Sequence, residues 1–212
     1  MISLSAPLKK PVILLANGEF PVHHLPKYLL DNSETIICTD GATDKLIKYG
    51  LEPTVTIGDL DSTKLSEHES PGLWVPAPDQ NKTDLQKALD WCIINNIIEI
   101  TILGAGGIRE DHALGNLHIL AEYQGMVELK MVTNHATINC EQGNRTISSQ
   151  PGQAISIIAI HPVESITVSG LKYPMVNQRL LPSSRATCNE ALNHEFSLDT
   201  SGSVWLFMNH TD

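Results

Sequence analysis

The stretch EITILGAGGIREDHALGNLHILAEYQG, residues 99–125, contains the pattern that decides the fold. Its first five residues, Glu99–Leu103, alternate isoleucine with other residues and predict a buried strand. A loop with three glycines follows, and residues 111–124 then carry leucines at helical spacing until Gly125. The stretch therefore predicts a strand, a glycine-rich loop and a helix in succession.

The same alternation of strand and helix runs through the first two thirds of the chain. Buried strands are predicted at 12–16, 35–39, 55–57, 73–75 and 129–132, and helices at 43–49 and 84–95. Alternation at this period indicates an α/β fold, with a mostly parallel, Rossmann-like sheet and helices on both faces.

The pattern changes after about residue 139. Short strand candidates occur at 144–148, 154–160, 166–168, 195–198 and 204–208, separated by Gly, Pro, Asn and Ser, and no strong helical pattern accompanies them. This predicts a small all-β sandwich. We place the boundary within 134–143 and divide the chain into domains of residues 1–138 and 139–212.

The composition of the chain disfavours several classes of protein. With 42% hydrophobic and 18% charged residues, the 212-residue chain has the composition of a globular protein. Its net charge of −10 and lack of a basic run argue against a nucleic-acid partner. No apolar run reaches membrane-spanning length, and four widely spaced cysteines without a C-x-x-C pair favour a reduced, cytoplasmic protein.

Four acidic clusters fall where a predicted strand ends or a helix begins, which is where open α/β sheets bind their ligands. Carboxylates on one crevice repel one another unless a cation offsets them. Mg²⁺ prefers one or two carboxylates together with substrate phosphates. The clusters, which contain Asp40, Asp59, Asp61, Asp84 and Asp111, therefore predict magnesium-assisted chemistry on a nucleotide.

Two of these clusters have a geometry that suits metal binding. Asp59 and Asp61 share one side of an extended chain and could face the same ion, although a solvated turn is an equally good reading of a lone D-x-D. Thr83 begins a capping-box pattern, which leaves Asp84 in the first turn of a helix. Helix capping by Thr83 and metal binding by Asp84 are compatible.

Further residues could contact the nucleotide. The glycines of the 104–107 loop allow close approach of a ligand, and Arg109 offers a planar fork for phosphate oxygens. Asp40 could accept a hydrogen bond from a ribose hydroxyl or a base amine. The common alternative is that Asp40 and Gly41 only form a turn. The remaining candidates are Asn17, Gly18, Gly41, Gln80 and Lys82, and ordinary surface positions are the alternative for Gln80 and Lys82.

Taken in order, these segments resemble the thiamine pyrophosphokinase family over nearly the whole chain. No single motif decides the resemblance, but the ordered set is specific. The matching segments are Ala16–Gly18, Thr39–Ala42, Gly58–Ser62, Gln80–Asp84, Gly104–His112 with Asn116, Gly170–Pro174 and Ser183–Glu190.

The resemblance implies transfer of an intact pyrophosphoryl group from ATP to the hydroxyl of thiamine, with release of AMP. It implies a homodimer with a catalytic nucleotide domain, a thiamine-binding β-sandwich and thiamine held between protomers. Asp59, Asp61 and Asp84 would hold Mg²⁺, with Arg109 and Asp111 beside the transferring group. ATP would meet Asn17, Gly18, Asp40, Gly41, Gln80, Lys82, Thr83, Gly106 and Gly107, and thiamine would meet Ser184, Thr187 and Asn189.

The chain departs from the family pattern at two places. Ile108 separates Gly107 from Arg109, which we interpret as a one-position displacement of the Gly-Gly pair. Cys188 stands where the family has serine, so a weaker hydrogen-bonding thiol replaces a hydroxyl. Two other functions are weighed: a D-x-D glycosyltransferase, which would not explain Thr83-Asp84 or Arg109, and a sensor that binds both ligands without turnover.

Overall fold

A computed structural model of the chain describes residues 7–59 and 71–211, which fold into two compact units. The first unit extends to Asn134 and the second begins at His135. The change in sequence pattern had suggested a boundary four residues later, between 138 and 139, a position that lies inside a strand. Each unit is described separately below.

The first unit contains a parallel sheet in its described residues. The order is β6-β5-β1-β2-β3-β4, and every neighbouring pair is parallel. All six predicted strands are present, with ends within one residue of the prediction. They are β1 (Val12–Leu15), β2 (Thr35–Thr39), β3 (Val55–Gly58), β4 (Leu73–Pro76), β5 (Glu99–Leu103) and β6 (Glu128–Val132).

The strand order creates a crevice beside β1. From β1 the chain builds outward through β2, β3 and β4 on one side, whereas β5 and β6 lie on the other. Every residue of β1 and β2 is buried, as expected for central strands covered on both faces. The chain continues from β1 to β2 on one side and from β5 to β6 on the other, so ligands are expected outside the carboxyl ends of β1 and β5.

The described residues of this unit form four helices: α1 (His24–Asp31), α2 (Asp40–Tyr49), α3 (Asp84–Ile94) and α4 (Glu110–Glu122). The sequence pattern predicted the last three, but it missed α1 because Pro26 interrupts its apolar spacing. Proline is tolerated in a first turn, and the Nδ1 atom of His23 caps α1 by accepting from the Leu25 amide at 3.3 Å. In the described ranges, no helix has the length and apolar character needed to cross a bilayer.

The second unit is built of β-strands, and each pair of neighbouring strands within it is antiparallel. Its long last strand, β12, pairs along its length with β7 and, on its other edge, first with β9 and then with β8. The strands are β7 (Ala136–Ser148), β8 (Ala154–Ala159), β9 (Val163–Ser169), β10 (Met175–Leu180), β11 (Asn189–Glu190) and β12 (Glu195–Asn209).

Three strand predictions in this unit were correct in type but wrong in extent, and β10 was missed. Residues 195–198 and 204–208 form the single strand β12, because a register shift between Thr200 and Val204 accommodates the polar, glycine-containing segment. The strand predicted at 144–148 is the end of the longer β7. Strand β10 was missed because Asn177, Gln178 and Arg179 in its middle are polar, and only Met175 and Leu180 at its ends are buried.

The core of the first unit generates a stability prediction. Leu89 of α3 is fully buried, whereas Ile94 on the same helix is 51% exposed. Replacing Leu89 by alanine should lower the free energy of unfolding by about 2–5 kcal/mol through lost burial and the cavity left behind. The matched variant Ile94→Ala should change it by only about 0.5 kcal/mol. Chemical denaturation measures both, and equal losses would contradict the packing described.

Candidate active site

A cavity of about 880 Å³ opens at the carboxyl ends of the parallel strands in the first unit. The loops that follow β1, β3 and β5 line it, together with the beginning of α3 and one side of α4. This is the edge at which an open α/β sheet is expected to bind ligands. Its volume lies within the range usual for small-molecule sites.

Two predicted metal ligands meet a buried lysine in this cavity. The Nζ atom of Lys87 lies 3.0 Å from Oδ1 of Asp84 and 3.8 Å from Oδ2 of Asp59. The Lys87 side chain is only 6% exposed, compared with 38% for Asp84 and 19% for Asp59. Asp59 also accepts a hydrogen bond from Nε2 of Gln80 at 3.0 Å. The fold thus brings Asp59, Asp84 and Gln80 together, as the sequence predicted.

The protonated state of Lys87 is set by these carboxylates. Burial acts to lower the pKa of Lys87. The hydrogen bond with Asp84 and the negative charges of Asp84, Asp59 and Asp40 outweigh it, so the pKa is raised above its usual value. Lys87 is therefore a fixed positive charge at neutral pH, within an otherwise acidic cluster.

Asp40 and Gly41 form the first turn of α2 and do not line the cavity. Asp40 is 1% exposed, and its Oδ1 atom accepts a hydrogen bond of 2.6 Å from the Gly41 amide. The backbone of β3 packs on this side chain so closely that a Cβ atom at Gly58 would lie 2.6 Å from that of Asp40. The predicted contacts of Asp40 and Gly41 with ATP are not supported by this placement, and Asp40 acts on Lys87 through its charge.

Asn17 and Gly18 lie on a loop that is joined to the glycine-rich loop by backbone hydrogen bonds. The amide of Gly18 donates to the carbonyl of Gly104 at 2.6 Å, and that of Glu19 donates to the carbonyl of Gly106 at 2.8 Å. A Cβ atom at Gly18 would lie 2.5 Å from the Gly106 oxygen and closer still to that of Gly104. Only glycine permits this approach.

A second lysine holds the Asn17 loop in place. The Nζ atom of Lys45, on α2, donates to the carbonyl oxygens of Asn17 and Gly18 at 2.9 and 2.8 Å. Burial lowers the pKa of Lys45. On the other side, Nδ2 of Asn116 on α4 donates to the carbonyl of Ala105 at 2.8 Å. The two loops are thus fixed from both flanking helices.

The glycine-rich loop turns at Gly107 and Ile108, which both have left-handed backbone conformations with φ of 66° and 62°. This conformation is costly for a β-branched residue such as Ile108. The Ile108 side chain is 72% exposed and lines the cavity with Gly107. Gly106 lies outside the lining and contributes only its carbonyl to the loop pairing. Ile108 itself therefore occupies a turn position that suits glycine, and the displacement of the Gly-Gly pair stays an interpretation of the sequence.

Arg109 and Asp111 form a two-point ion pair at the cavity mouth. Nε of Arg109 lies 3.0 Å from Oδ1 of Asp111, and Nη2 lies 2.5 Å from Oδ2. Both side chains are more than 60% exposed, at 62% and 64%. An exposed pair of this kind is weak, so an anionic ligand can draw Arg109 away from Asp111.

Asp111 is poorly suited to act as a general base. Its hydrogen bonds from Arg109, aided by the His112 amide, lower the pKa of Asp111 to about 2. A carboxylate with so low a pKa is a poor proton acceptor at neutral pH. Asp111 instead holds the Arg109 guanidinium at the cavity mouth.

The capping box predicted at Thr83 is confirmed. Oγ1 of Thr83 accepts from the Gln86 amide at 3.3 Å, and Oε1 of Gln86 accepts from the Thr83 amide at 3.1 Å. Lys82, just before it, forms an ion pair with Asp90 at the cavity rim. Thr83 and Lys82 therefore line the cavity while both have partners within the protein.

The predicted thiamine-binding residues lie in the second unit. The carbonyl of Ser184 accepts from Oγ1 of Thr187 at 2.8 Å. Asn189 joins two segments: its Oδ1 accepts from the Tyr173 amide at 3.0 Å, and its Nδ2 donates to the Tyr173 carbonyl at 2.8 Å. Cys188, which is exposed, has a left-handed φ of 58°. Asn189 thus holds the backbone at Tyr173 in place. Contact of Ser184, Thr187 and Asn189 with thiamine remains a prediction.

Sequence reasoning missed Lys87 and Lys45. For Lys87 a signal was present, because a lysine three residues after Asp84 on a helix lies on the same side as that carboxylate. For Lys45 no local signal existed, because its partners Asn17 and Gly18 are distant in sequence and are brought near only by the sheet.

The donor set suits a cation that also binds phosphate. Asp59 and Asp84 both approach one positive charge, and one or two carboxylates plus phosphate oxygens are what Mg²⁺ prefers. Asp61, the third predicted ligand, lies outside the described residues. In the part of the chain that the structure describes, no group of three or more Asp, Glu, His or Cys residues could hold a metal ion. The described carboxylates therefore fit Mg²⁺ only with further ligands.

Two family models match the chain, one in each unit. Residues 26–132 match the thiamin pyrophosphokinase catalytic domain, and residues 135–205 match the thiamin pyrophosphokinase vitamin B1 binding domain. The chain belongs to the thiamin pyrophosphokinase family. The family and the enzyme class inferred from the ordered motifs are thereby confirmed, and the glycosyltransferase alternative has no support.

Individual members of the thiamin pyrophosphokinase family are also similar to this chain. Thiamine pyrophosphokinase of Bacillus subtilis is 28% identical over 188 residues, which cover 83% of this chain and 87% of the relative. Thiamin pyrophosphokinase 1 of Caenorhabditis elegans is 25% identical over 210 residues, which cover 91% of this chain and 86% of the relative. The crystal structure of the Bacillus subtilis enzyme superposes with a TM-score of 0.78, covering 95% of this chain and 99% of that one at 25% identity.

The close approach at Gly18 generates a test of the loop pairing. Gly18→Ala should lower the free energy of unfolding by about 1–3 kcal/mol, because the added methyl group would overlap two carbonyl oxygens. The control is Gly115→Ala, on α4, where a Cβ atom meets nothing within 4 Å and helix propensity should raise stability by up to about 1 kcal/mol. A Gly18→Ala protein as stable as the wild type would contradict the described loop pairing.

The Arg109–Asp111 pair predicts an unusual titration. Asp111 should titrate near pH 2 by NMR, and Arg109→Met should move its pKa up toward that of an ordinary aspartate. Because the folded-state pKa is depressed, the pair's stabilisation is present above the ordinary aspartate pKa and is lost as pH falls toward 2. The pKa of Glu99, which the hydrogen bond from Lys10 lowers, should be the same in both proteins. An unchanged Asp111 titration in the variant would contradict the ion pair.

Proposed function

We propose that the chain transfers the pyrophosphoryl group of ATP to the hydroxyl of thiamine, forming thiamine diphosphate and AMP in a Mg²⁺-dependent reaction. The observation that carries the proposal is the placement of Asp59, Asp84 and Arg109 around one cavity at the carboxyl edge of a parallel sheet. Membership of the thiamin pyrophosphokinase family supports the choice of substrates.

In this proposal the first unit acts as a Rossmann-like nucleotide-binding domain. The paired loops of Gly18 and Gly107 form a narrow backbone surface against which ATP lies, and Gln80, Lys82 and Thr83 contribute polar contacts from the rim. The second unit, by prediction a small β-sandwich, binds thiamine through the segments that contain Ser184, Thr187 and Asn189. We infer a homodimer that completes the thiamine site, and a cytoplasmic location from the pattern of cysteines.

The chemistry requires charge neutralisation more than proton transfer. Phosphoryl-type transfer spreads negative charge over the transferring oxygens, and positioning with electrostatic stabilisation supplies most of the catalysis. Asp59 and Asp84, with Asp61 as predicted, would hold Mg²⁺, which offsets charge on the phosphates when bound. Arg109 would leave its weak pair with Asp111 to bind the transferring group, because phosphate oxygens suit its planar fork.

A direct assay tests this function. Full-length protein incubated with ATP, Mg²⁺ and thiamine should form AMP and thiamine diphosphate in equal amounts, measured by chromatography. Asp84→Asn should reduce the rate roughly 100-fold or more, because it removes a preorganised charge. The control Asp31→Asn, an exposed carboxylate bonded to Tyr49, should leave the rate unchanged.

Three outcomes decide between the functions. Equal amounts of AMP and thiamine diphosphate, lost in Asp84→Asn, support the proposed transfer. Binding of ATP and thiamine without AMP would support the sensor instead. Full activity in Asp84→Asn would contradict the role given to this carboxylate.

A further inference from the structure

Lys87 lines the cavity, and the proposed reaction gives its charge no role. The Lys87 side chain is 6% exposed, and its ammonium lies against Asp84 and Asp59. We infer that Lys87 is a positioning residue that holds these two carboxylates together without metal and makes the site select a metal–nucleotide complex over the free metal ion. The inference rests on the proposed metal-dependent function.

The position of Lys87 is unfavourable apart from its carboxylate partners. It is the fourth residue of α3, near the positive end of the helix dipole, where a cation is destabilised. Burial adds a desolvation cost to the charged form. Contacts with Asp84 on the same helix and Asp59 after β3 offset both costs. The lysine and the two carboxylates therefore stabilise one another across two elements of the fold.

The same contacts oppose binding of a free divalent ion. Oδ1 of Asp84 already accepts from Lys87 at 3.0 Å, so an ion that uses this oxygen must displace the ammonium or lie close to it. Two positive charges a few ångströms apart repel strongly in a partly buried site. Nucleotide phosphates bring negative charge that offsets both cations. The ion should therefore bind well only together with the nucleotide.

Metal binding to nucleotide-free protein tests the inference. Mn²⁺ is titrated into the full chain and free Mn²⁺ is followed by electron paramagnetic resonance. Lys87→Met, which keeps most of the side-chain volume, should bind Mn²⁺ about tenfold or more tightly than wild type, because a competing charge is gone. Lys87→Gln keeps a hydrogen-bond donor but removes the charge, and it should also bind Mn²⁺ more tightly than wild type. This second variant keeps the test decisive if Lys87→Met folds poorly.

Two controls separate charge competition from a general effect. Lys87→Arg keeps the positive charge and should retain wild-type affinity for Mn²⁺. Lys10→Met removes a lysine from an exposed pair with Glu99, so it changes net charge equally and should not alter Mn²⁺ affinity. With ATP present, the difference between wild type and Lys87→Met should shrink, because the phosphates offset the ammonium.

The outcomes also distinguish this inference from the proposed function. Unchanged Mn²⁺ affinity in Lys87→Met and Lys87→Gln would overturn the role of Lys87 while leaving metal binding intact. Weaker binding in both variants would show that Lys87 only organises the ligands, and would also overturn the inference. No Mn²⁺ binding by any variant, with or without ATP, would contradict the metal site itself.

Discussion

Carboxylates gathered at one edge of a parallel sheet repel one another, and the buried ammonium of Lys87 offsets that repulsion between Asp59 and Asp84. The loop after β3 and the start of α3 both line the cavity, so the fold itself places the two carboxylates near each other. The charge of Asp40, buried beneath the backbone of β3, acts on the same lysine. Substrate chemistry therefore depends on a charge balance that the fold already contains.

The loops above this cluster are fixed by backbone contacts. Gly18 and Glu19 pair with the glycine-rich loop, and Lys45 and Asn116 hold the two loops from separate helices. Preorganised loops of this kind reduce the reorganisation needed when charge develops in the transition state. Arg109 differs, because its exposed pair with Asp111 leaves it available to a ligand. The site thus combines loops that are fixed by internal hydrogen bonds with an exposed arginine that an anionic ligand can draw from its partner.

Much of this was predictable from sequence, for physical reasons. Buried parallel strands are rich in apolar residues, so β1 to β6 were found, and the Thr83 capping box was predicted directly from Thr83 and Gln86. The helix α1 was missed because Pro26 breaks its pattern, and Lys87 because a lysine in a helix is usually on the surface. The burial of Asp40 and the left-handed turn at Ile108 depend on tertiary packing, which local patterns do not contain.

The central claim is that Asp59 and Asp84 bind a divalent ion jointly with nucleotide phosphates. A crystal grown with Mn²⁺ and a non-hydrolysable ATP analogue, measured at the manganese absorption edge, locates that ion by its anomalous signal. We predict one peak or more bridging the phosphates to Asp59 and Asp84, with metal–oxygen distances of roughly 2.0–2.6 Å, as for hard cations with oxygen ligands. Analogue bound in the cavity with manganese absent from these carboxylates would contradict the account.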